Sequence, residues 1–432
     1  MNLKKSFSKL SRVERLKYLQ VKKLLIQKDI EYLQNSASSE MLDLSESFIE
    51  NTIGCFSMPL GIVPEFYMDK KEYTVPMVIE ESSVIAAVSK TAKWIRASGE
   101  ITTRVHGQDI IGQIQFGKVK DIHLCEKLIE EKSNEFINMA NQLVVPNLVA
   151  RGGGVNYLSV RKIDRDNRID GAKMLVVHVY MHPCDAMGAN LINQVCEFLR
   201  DPLEQLIQEK ASMSILSNLV DSKLTEANII IYNIDNNLGE KIAEASLFAK
   251  QDQYRATTHN KGVMNGIDAV LVATGNDWRA VEAGVHAYAA RSGQYRAITE
   301  WSIEKNNIIG KIIAPIVVGT VGGMTKSHPM AQINLKILNI QQSDELSRLA
   351  GAVGLVQNLA ALRALTGEGI VRGHMKLHIQ NLIVSITASE GEKKALKTMA
   401  EDFLKINGKI TQSDIMNLLR QLRESHSKTL RN

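Results

Sequence analysis

MLVVHVYMHPCDAMGANLINQVCEFLRD, residues 174–201, passes from branched apolar residues through a glycine-bearing polar segment to apolar residues at helical spacing. Met174–Met181 reads as a strand, and a helix is expected to start at Cys184-Asp185. Upstream, Ile110–Phe116 (IIGQIQF) reads as a second strand, Cys125–Leu143 as an acidic and basic helical segment, and Arg151–Gly154 as a glycine loop. The order strand–helix–strand–strand–helix describes a small α+β unit set between two parts of a larger domain. No GxGxxG follows a strand, so the pattern does not support a Rossmann-type nucleotide site.

Further out, Tyr73–Ile79 (YTVPMVI) is β-like and a small-residue helix begins at Val84. Beyond residue 220, Asn228–Tyr232 reads as a strand. Ala269–Thr274 (AVLVAT) reads as a short buried strand ending in Gly275-Asn276-Asp277, after which a helix begins at Trp278. Ile312–Val318 is expected to be a strand running into the glycine turn 319–323, and Leu346–Leu365 a long apolar helix ended by Gly367. After about residue 382, the text is a polar, lysine-rich helical tail with Gly391 and Gly408 as breaks. Near the N-terminus, Leu10, Val13, Leu16, Leu19 and Leu24 recur at near-helical spacing, predicting an amphipathic helix with a lysine-rich outer face.

The chain has 432 residues, enough for two or three domains at ~100–200 residues each. Its hydrophobic fraction of 44% and charged fraction of 23% are those of a globular protein and exclude a disordered or collagenous chain. A net charge of +5 is too small to argue for nucleic acid. The four cysteines form no CxxC, and so few in a long chain fit a reducing, cytoplasmic compartment. No apolar run reaches the ~18–20 residues that span a bilayer, the longest being Ile312–Met324. The basic N-terminus has no continuous hydrophobic stretch, so neither secretory signal nor membrane partner is expected.

Four segments are polar where a core would be apolar. Glu80-Glu81-Ser82-Ser83 could cap the helix that follows, or hold a carboxyl in an apolar site as a proton donor. Thr257–Gly266 crowds polar groups around Lys261, which is either a solvated turn lysine or a cation placed where an oxyanion develops. Asp277 could cap its helix or keep a neighbouring Lys261 charged. His374 and His378 stand at i, i+4; Met375 occupies the position where HExxH needs glutamate, so proton donation and ligand contact are favoured over a metal site. Asp185–Asn190 at a helix start suits a phosphate.

Taken together, the blocks ENTIGCFSMPLGI (Glu50–Ile62), VPMVIEESSVIAAVS (Val75–Ser89), DAMGANLIN (Asp185–Asn193), ILSNLVDSKL (Ile215–Leu224), YRATTHNKGVMNGIDAVLVATGNDWRAVEAG (Tyr254–Gly284), GTVGGMTKSHPMAQ (Gly319–Gln332) and GLVQNLAALRALTGEGIVRGHMKLH (Gly354–His378) resemble 3-hydroxy-3-methylglutaryl-coenzyme A reductase of the class II, soluble bacterial and archaeal type. Ser82 stands where that family usually has proline. The resemblance implies reduction of 3-hydroxy-3-methylglutaryl-CoA to mevalonate and CoA by two NADH or NADPH. It implies Glu81, Lys261, Asp277 and His374 as catalytic residues. Ser83, Arg255, Asn265 and Asn218 are implied around the acyl group; Glu50, Asn51 and His378 on the CoA side; and Asp185, Met187, Gly188 and Asn190 at the dinucleotide. Cofactor choice is expected to turn on Arg161–Arg165, where Asp164 could bind a ribose hydroxyl.

The implied architecture is a large two-segment α/β domain (residues 1–108 and 220–375) for catalysis and CoA binding. A small α+β dinucleotide-binding domain (109–219) is inserted in it, and a C-terminal helical flap (376–432) follows. A homodimer or a multiple of dimers is implied, with active sites at the subunit interface, no metal and no membrane anchor. Rival readings are the same chemistry run as mevalonate oxidation, a non-catalytic CoA- or nucleotide-binding relative, and a nucleic-acid binder using the N-terminal lysines.

Overall fold

The computed structural model describes residues 6–165, 173–367, 379–380 and 382–429. By compactness the chain divides into Met1–Leu60 and Gly61–Asn432.

In the first unit, helices Arg12–Val21, Gln27–Gln34 and Ser39–Phe48 bury Leu16, Ile30 and Leu42. Ser11 and Glu14 form a reciprocal capping box on the first helix, which is why it begins there. The expected amphipathic stripe is only partly realised. Leu16 is buried, but Val13 is exposed and Leu24 falls beyond the helix end. The inward face instead carries Arg15, whose Nη1 donates to the Thr52 carbonyl at 2.9 Å.

The second unit opens with a hairpin of β1 (Leu60–Met68) and β2 (Lys71–Val78). Its two-residue turn has Asp69 and Lys70 both at positive φ, the primed geometry that matches strand twist. A four-stranded sheet follows in the order β3-β8-β10-β9, from β3 (Gly99–His106), β8 (Leu224–Ile231), β9 (Thr299–Glu304) and β10 (Asn307–Ala314). β10 alternates half-buried and buried residues, so one face packs under helices. Ile101, Ile229, Ile308 and Ile312 meet Val263, Ile267, Leu349 and Val353 there, from helices Gln253–Ala273 and Ser343–Thr366.

Between β3 and β8 the chain builds a second sheet in the order β5-β6-β4-β7, from β4 (Ile110–Val119), β5 (Gly154–Asp164), β6 (Lys173–His182) and β7 (Met213–Leu216). Helices Ile122–Leu143 and Ala189–Ile207 complete a β-α-β-β-α-β arrangement with its own apolar core. Entry and exit cross at Gly107, whose left-handed φ of +71° places a Cβ position only 2.0 Å from the Ser222 carbonyl oxygen. In both four-stranded sheets the pairing is antiparallel, so the β3-β8-β10-β9 sheet is α+β in its pairing although helices and strands alternate along the chain.

Three local expectations are corrected. Ala269–Thr274 is not a strand but the end of the 21-residue helix Gln253–Ala273. Its residues are buried on several sides by the long helix, and all-round burial erases the period that separates helix from strand. The helix after β6 starts at Ala189 rather than Cys184, because Gly188 takes the left-handed cap position. Gly391 lies inside helix Glu390–Asn407 and does not break it. The tail has a core of its own, including Ile383, Leu396, Ile415 and Leu419.

Among the described residues one helix, Ser343–Thr366, is long and apolar enough to cross a membrane. The length criterion applied to the bare sequence missed it, because Gln357 and Asn358 interrupt the run. In the fold 67% of its most apolar window is buried.

Candidate active site

Helix Gln253–Ala273 is nucleated by Asp252, whose Oδ1 accepts from the Arg255 N–H at 2.7 Å. Lys261 and Asn265 are one turn apart and share a face. Lys261 Nζ donates to Glu81 Oε2 at 2.8 Å, and Asn265 Nδ2 donates to the same oxygen at 3.2 Å. The Lys261 and Glu81 side chains are 62% and 42% exposed, so the pair adds little stability and faces solvent ready for a ligand. Glu81 is therefore not enclosed in an apolar site within one chain. At Gly262, beside Lys261, an added Cβ would meet nothing within 4 Å.

The turn carrying Glu81 is not an ordinary helix cap. Ser83 occupies the N-cap position of helix Val84–Ser98 at φ +79° and makes no capping bond. Its Oγ is buried without a partner. A left-handed non-glycine residue and an orphaned hydroxyl each cost free energy, the first about 1–3 kcal/mol.

On the opposite side of the lysine helix lies a buried polar network that sequence reading missed. His259 Nε2 is 2.5 Å from Thr299 Oγ1 and 3.1 Å from Asn358 Nδ2, and Trp301 Nε1 donates to Asn358 Oδ1 at 2.7 Å. Burial, reinforced by the Arg255 charge, pushes His259 down to about 3, so it is neutral at physiological pH. Asn260 Nδ2 donates to the Arg296 carbonyl at 2.9 Å, and its Oδ1 accepts from the Ile298 N–H at 3.0 Å. These bonds pin the residues just before Lys261. Arg255 is half-buried, which lowers its guanidinium pKa, and it has no acidic partner among the described residues.

Asp277 does what the bland reading predicts. Its Oδ1 accepts from the Ala280 N–H at 3.2 Å, capping helix Trp278–Ala289, and pairs with Arg279 at 3.3 Å. It makes no ion pair with Lys261. From Lys261 to the helix end at Ala273 the axis rises ~18 Å at ~1.5 Å per residue, which keeps the two apart within one chain.

Asn276, the neighbour of Asp277, belongs to a second constellation. Asn276 Oδ1 accepts from the Gly319 N–H at 2.8 Å. At Gly319 an added Cβ would lie 2.6 Å from Met187 N, so segment 319–323 and segment 185–190 touch backbone to backbone. Asp185 is fully engaged, its Oδ1 accepting from the Ser343 N–H and its carbonyl from the Thr320 N–H, both at 2.9 Å. Gly188, at φ +88°, starts helix Ala189–Ile207 with no side-chain cap, leaving N–H groups free, and Asn190 is exposed in its first turn. Met187 and Asn218 line one narrow, mostly apolar cleft of about 30 Å³, with Ala280, Val281 and Pro315.

Other predicted residues fall elsewhere. Gly154 pairs with His182, and Asp164 with Lys173, along one antiparallel hairpin. Ten strand residues, ~33 Å at ~3.3 Å each, therefore separate Asp164 from the end that leads into segment 185–190. Asp164 pairs with Lys173 at 3.4 Å, and the Arg161–Arg165 segment does not approach that helix start. Glu50 and Asn51 form an exposed turn in the first unit, Asn51 at φ +59°. His374 and His378 lie outside the described residues. No metal-ligating cluster occurs among the described residues.

The sequence profile of hydroxymethylglutaryl-coenzyme A reductase matches residues 11–379. The Archaeoglobus fulgidus 3-hydroxy-3-methylglutaryl-coenzyme A reductase is 43% identical over 388 residues, covering 88% of this chain and 86% of that protein. A probable reductase of the same name from Borreliella burgdorferi is 32% identical, covering 89% and 87%. Among solved structures, the Streptococcus pneumoniae reductase superposes with a TM-score of 0.73 at 37% identity, over 96% of this chain and 99% of that one. A second structure, the class II enzyme of that organism bound to NADPH in open conformations, gives 0.73 at 38% identity over 84% and 99%. With a profile spanning most of its length and relatives this similar, the chain belongs to the hydroxymethylglutaryl-coenzyme A reductase family.

Proposed function

We propose that the protein reduces 3-hydroxy-3-methylglutaryl-CoA to mevalonate and CoA, consuming two reduced nicotinamides, and supplies isoprenoid precursors. The observation that carries this reading is the convergence of Lys261 and Asn265 on Glu81 over an open, solvent-facing surface. An ammonium fixed there stabilises the oxyanion that forms when the thioester carbonyl is reduced. Glu81, in contact with that ammonium through Oε2, is placed to take a proton from solvent on its other carboxyl oxygen and pass it to the aldehyde-level oxygen in the second reduction, returning to the carboxylate. His374 is assigned protonation of the departing CoA thiolate from sequence alone. Arg255, a half-buried cation with no acidic partner among the described residues, suits the free carboxylate of the acyl group, because guanidinium pairs bidentately with carboxylate. Ser83, with its unpartnered hydroxyl, Asn265 and Asn218 complete acyl recognition.

For the dinucleotide, the uncapped helix start at Gly188 fits a phosphate. NADH or NADPH bound there supplies the hydrides. Asp185 acts by holding this segment to Ser343, and Asn190 is an exposed residue of the first helical turn. Glu50, Asn51 and His378 are assigned to CoA. Residues 1–108 with 220–375 form the catalytic domain, 109–219 the dinucleotide domain and 376–432 the flap.

The protein works as a homodimer or a multiple of dimers. Lys261 and Asp277 stand too far apart in one chain, so each site takes Lys261 from one protomer and Asp277 from its partner. It is a cytoplasmic enzyme with no nucleic-acid or membrane partner. The test is absorbance at 340 nm with the acyl-CoA and each nicotinamide, in both directions: two cofactors oxidised per mevalonate formed are expected. No substrate-dependent oxidation with either cofactor defeats the assignment.

A further inference from the structure

The loop after helix Trp278–Ala289 turns back on itself. The Arg296 N–H donates to the Ala289 carbonyl at 3.1 Å, and Gly293 near the tip has φ +85°. Arg291 stands on one limb of this loop and Arg296 on the other. Both line a cleft of about 410 Å³, together with Lys250, from helix Asn236–Gln251, and Lys311 of β10. Four cations thus face one cavity, and Glu300 of β9 is the single acid on its lining.

The charges do not cancel. Glu300 is paired with Lys250. Lys311 Nζ is 3.2 Å from Glu226 Oε1, but that buried carboxylate also takes Arg104 at 2.9 Å and His106 at 2.6 Å. Arg291 and Arg296 have no acidic partner among the described residues. Arg291 is held all the same: its guanidinium lies 3.8 Å over the Tyr288 ring, and its Nη1 donates to the Tyr288 carbonyl at 2.7 Å. Arg296 Nη2 reaches only Gln294 Oε1, at 3.3 Å. A guanidinium has five N–H donors, so most of both forks stay unused. The lining also includes the apolar Ile298 and Ile313, and the volume falls in the range of small-ligand pockets. None of the described residues assigned above to acyl, CoA or dinucleotide binding lines this cleft.

We propose that the cleft is a second binding site, taking a small molecule that carries two linked phosphates. Two guanidinium forks flanked by two ammoniums match the several charged oxygens of a diphosphate, whereas one carboxylate would leave cations unmatched. The inference does not depend on the reaction proposed above. The Arg296 carbonyl and the Ile298 N–H bind the Asn260 side chain, and Thr299 Oγ1 meets His259. A ligand on this segment therefore braces the turn just before Lys261.

Inorganic pyrophosphate, without divalent cations, is the probe, titrated calorimetrically into the whole protein. Arg291→Gln with Arg296→Gln should weaken binding at least about tenfold. Lys127→Gln with Lys132→Gln removes the same charge from the exposed side of helix Ile122–Leu143 and should change binding less than about twofold. Hydrogen exchange locates the ligand in the unsubstituted protein. Slower exchange is expected across residues 289–300, including the Ile298 amide that donates to Asn260. ADP supplies a second arm: protection of that segment at lower concentrations than pyrophosphate identifies an organic diphosphate, and otherwise the inorganic ion is the ligand. Absence of binding overturns the proposal. So do equal losses in the two double variants, orthophosphate binding as tightly as pyrophosphate, or protection confined to residues 185–193.

Discussion

Lys261 and Glu81 meet at 2.8 Å across 180 residues of chain, on a surface rather than in a core. A contact so exposed stabilises the fold by well under ~1 kcal/mol. Its value is directional: the lysine is held with two hydrogens still free for an oxyanion.

Lys261→Ala should therefore lower kcat by at least about a thousandfold while leaving unfolding free energy within about 1 kcal/mol of wild type. Paired measurement of turnover at 340 nm and chemical denaturation checks both halves. A large stability loss would mean the pair is structural.

In the proposed dimer Lys261 and Asp277 of one chain serve different sites, so two dead proteins should rescue each other. Co-expressed Lys261→Ala and Asp277→Ala chains form mixed dimers having one intact site. Random assortment makes half the dimers mixed, so the expected activity is about a quarter of wild type. Activity no greater than the sum of the separate variants would place both groups in one protomer.

Ser83→Gly should raise stability by roughly 1 kcal/mol, since glycine accepts φ +79° and leaves no orphaned hydroxyl. The same change should raise KM for the acyl-CoA about tenfold if the hydroxyl binds substrate. A variant less stable than wild type would show the turn to be unstrained.

His259 gives the fold an acid limit. It is neutral in the folded chain down to about pH 3 but protonates near pH 6.5 when unfolded, so its contribution is lost as pH falls through that window. The slope is up to about 1.4 kcal/mol per pH unit. His259→Gln should be less stable at neutral pH yet show a shallower decline between about pH 6 and about pH 4, as read by denaturation midpoints. Parallel curves for the two proteins would mean that His259 is charged in the fold.

Much of the scaffold is legible in the residues. β4 and β6 announce themselves through branched residues, and helix Ser343–Thr366 through its length and terminal Gly367. The lysine helix is not legible. Thr257, Thr258 and Asn260 make its first half look like a loop, and uniform burial of Ala269–Ala273 makes its end look like a strand. Asp277 alone gives both readings at once, because a helix cap and a reacting acid ask for the same residue. The network around His259 depends on Thr299 and Asn358, 40 and 99 residues away, and no local pattern encodes that. Asp164 shows the limit of motif reasoning: its chemistry suits a ribose, but strand register carries it to the far end of the hairpin.

At the crossing of Gly107 and Ser222, the two cut ends of the chain of the β3-β8-β10-β9 sheet already lie side by side. The β4–β7 unit thus has both its chain connections at one peg, while segment 185–190 docks it on residues 319–320 and on Ser343. A short glycine–serine splice across that peg should close the remaining chain without a gap, and the removed piece should bring its own apolar interior with it.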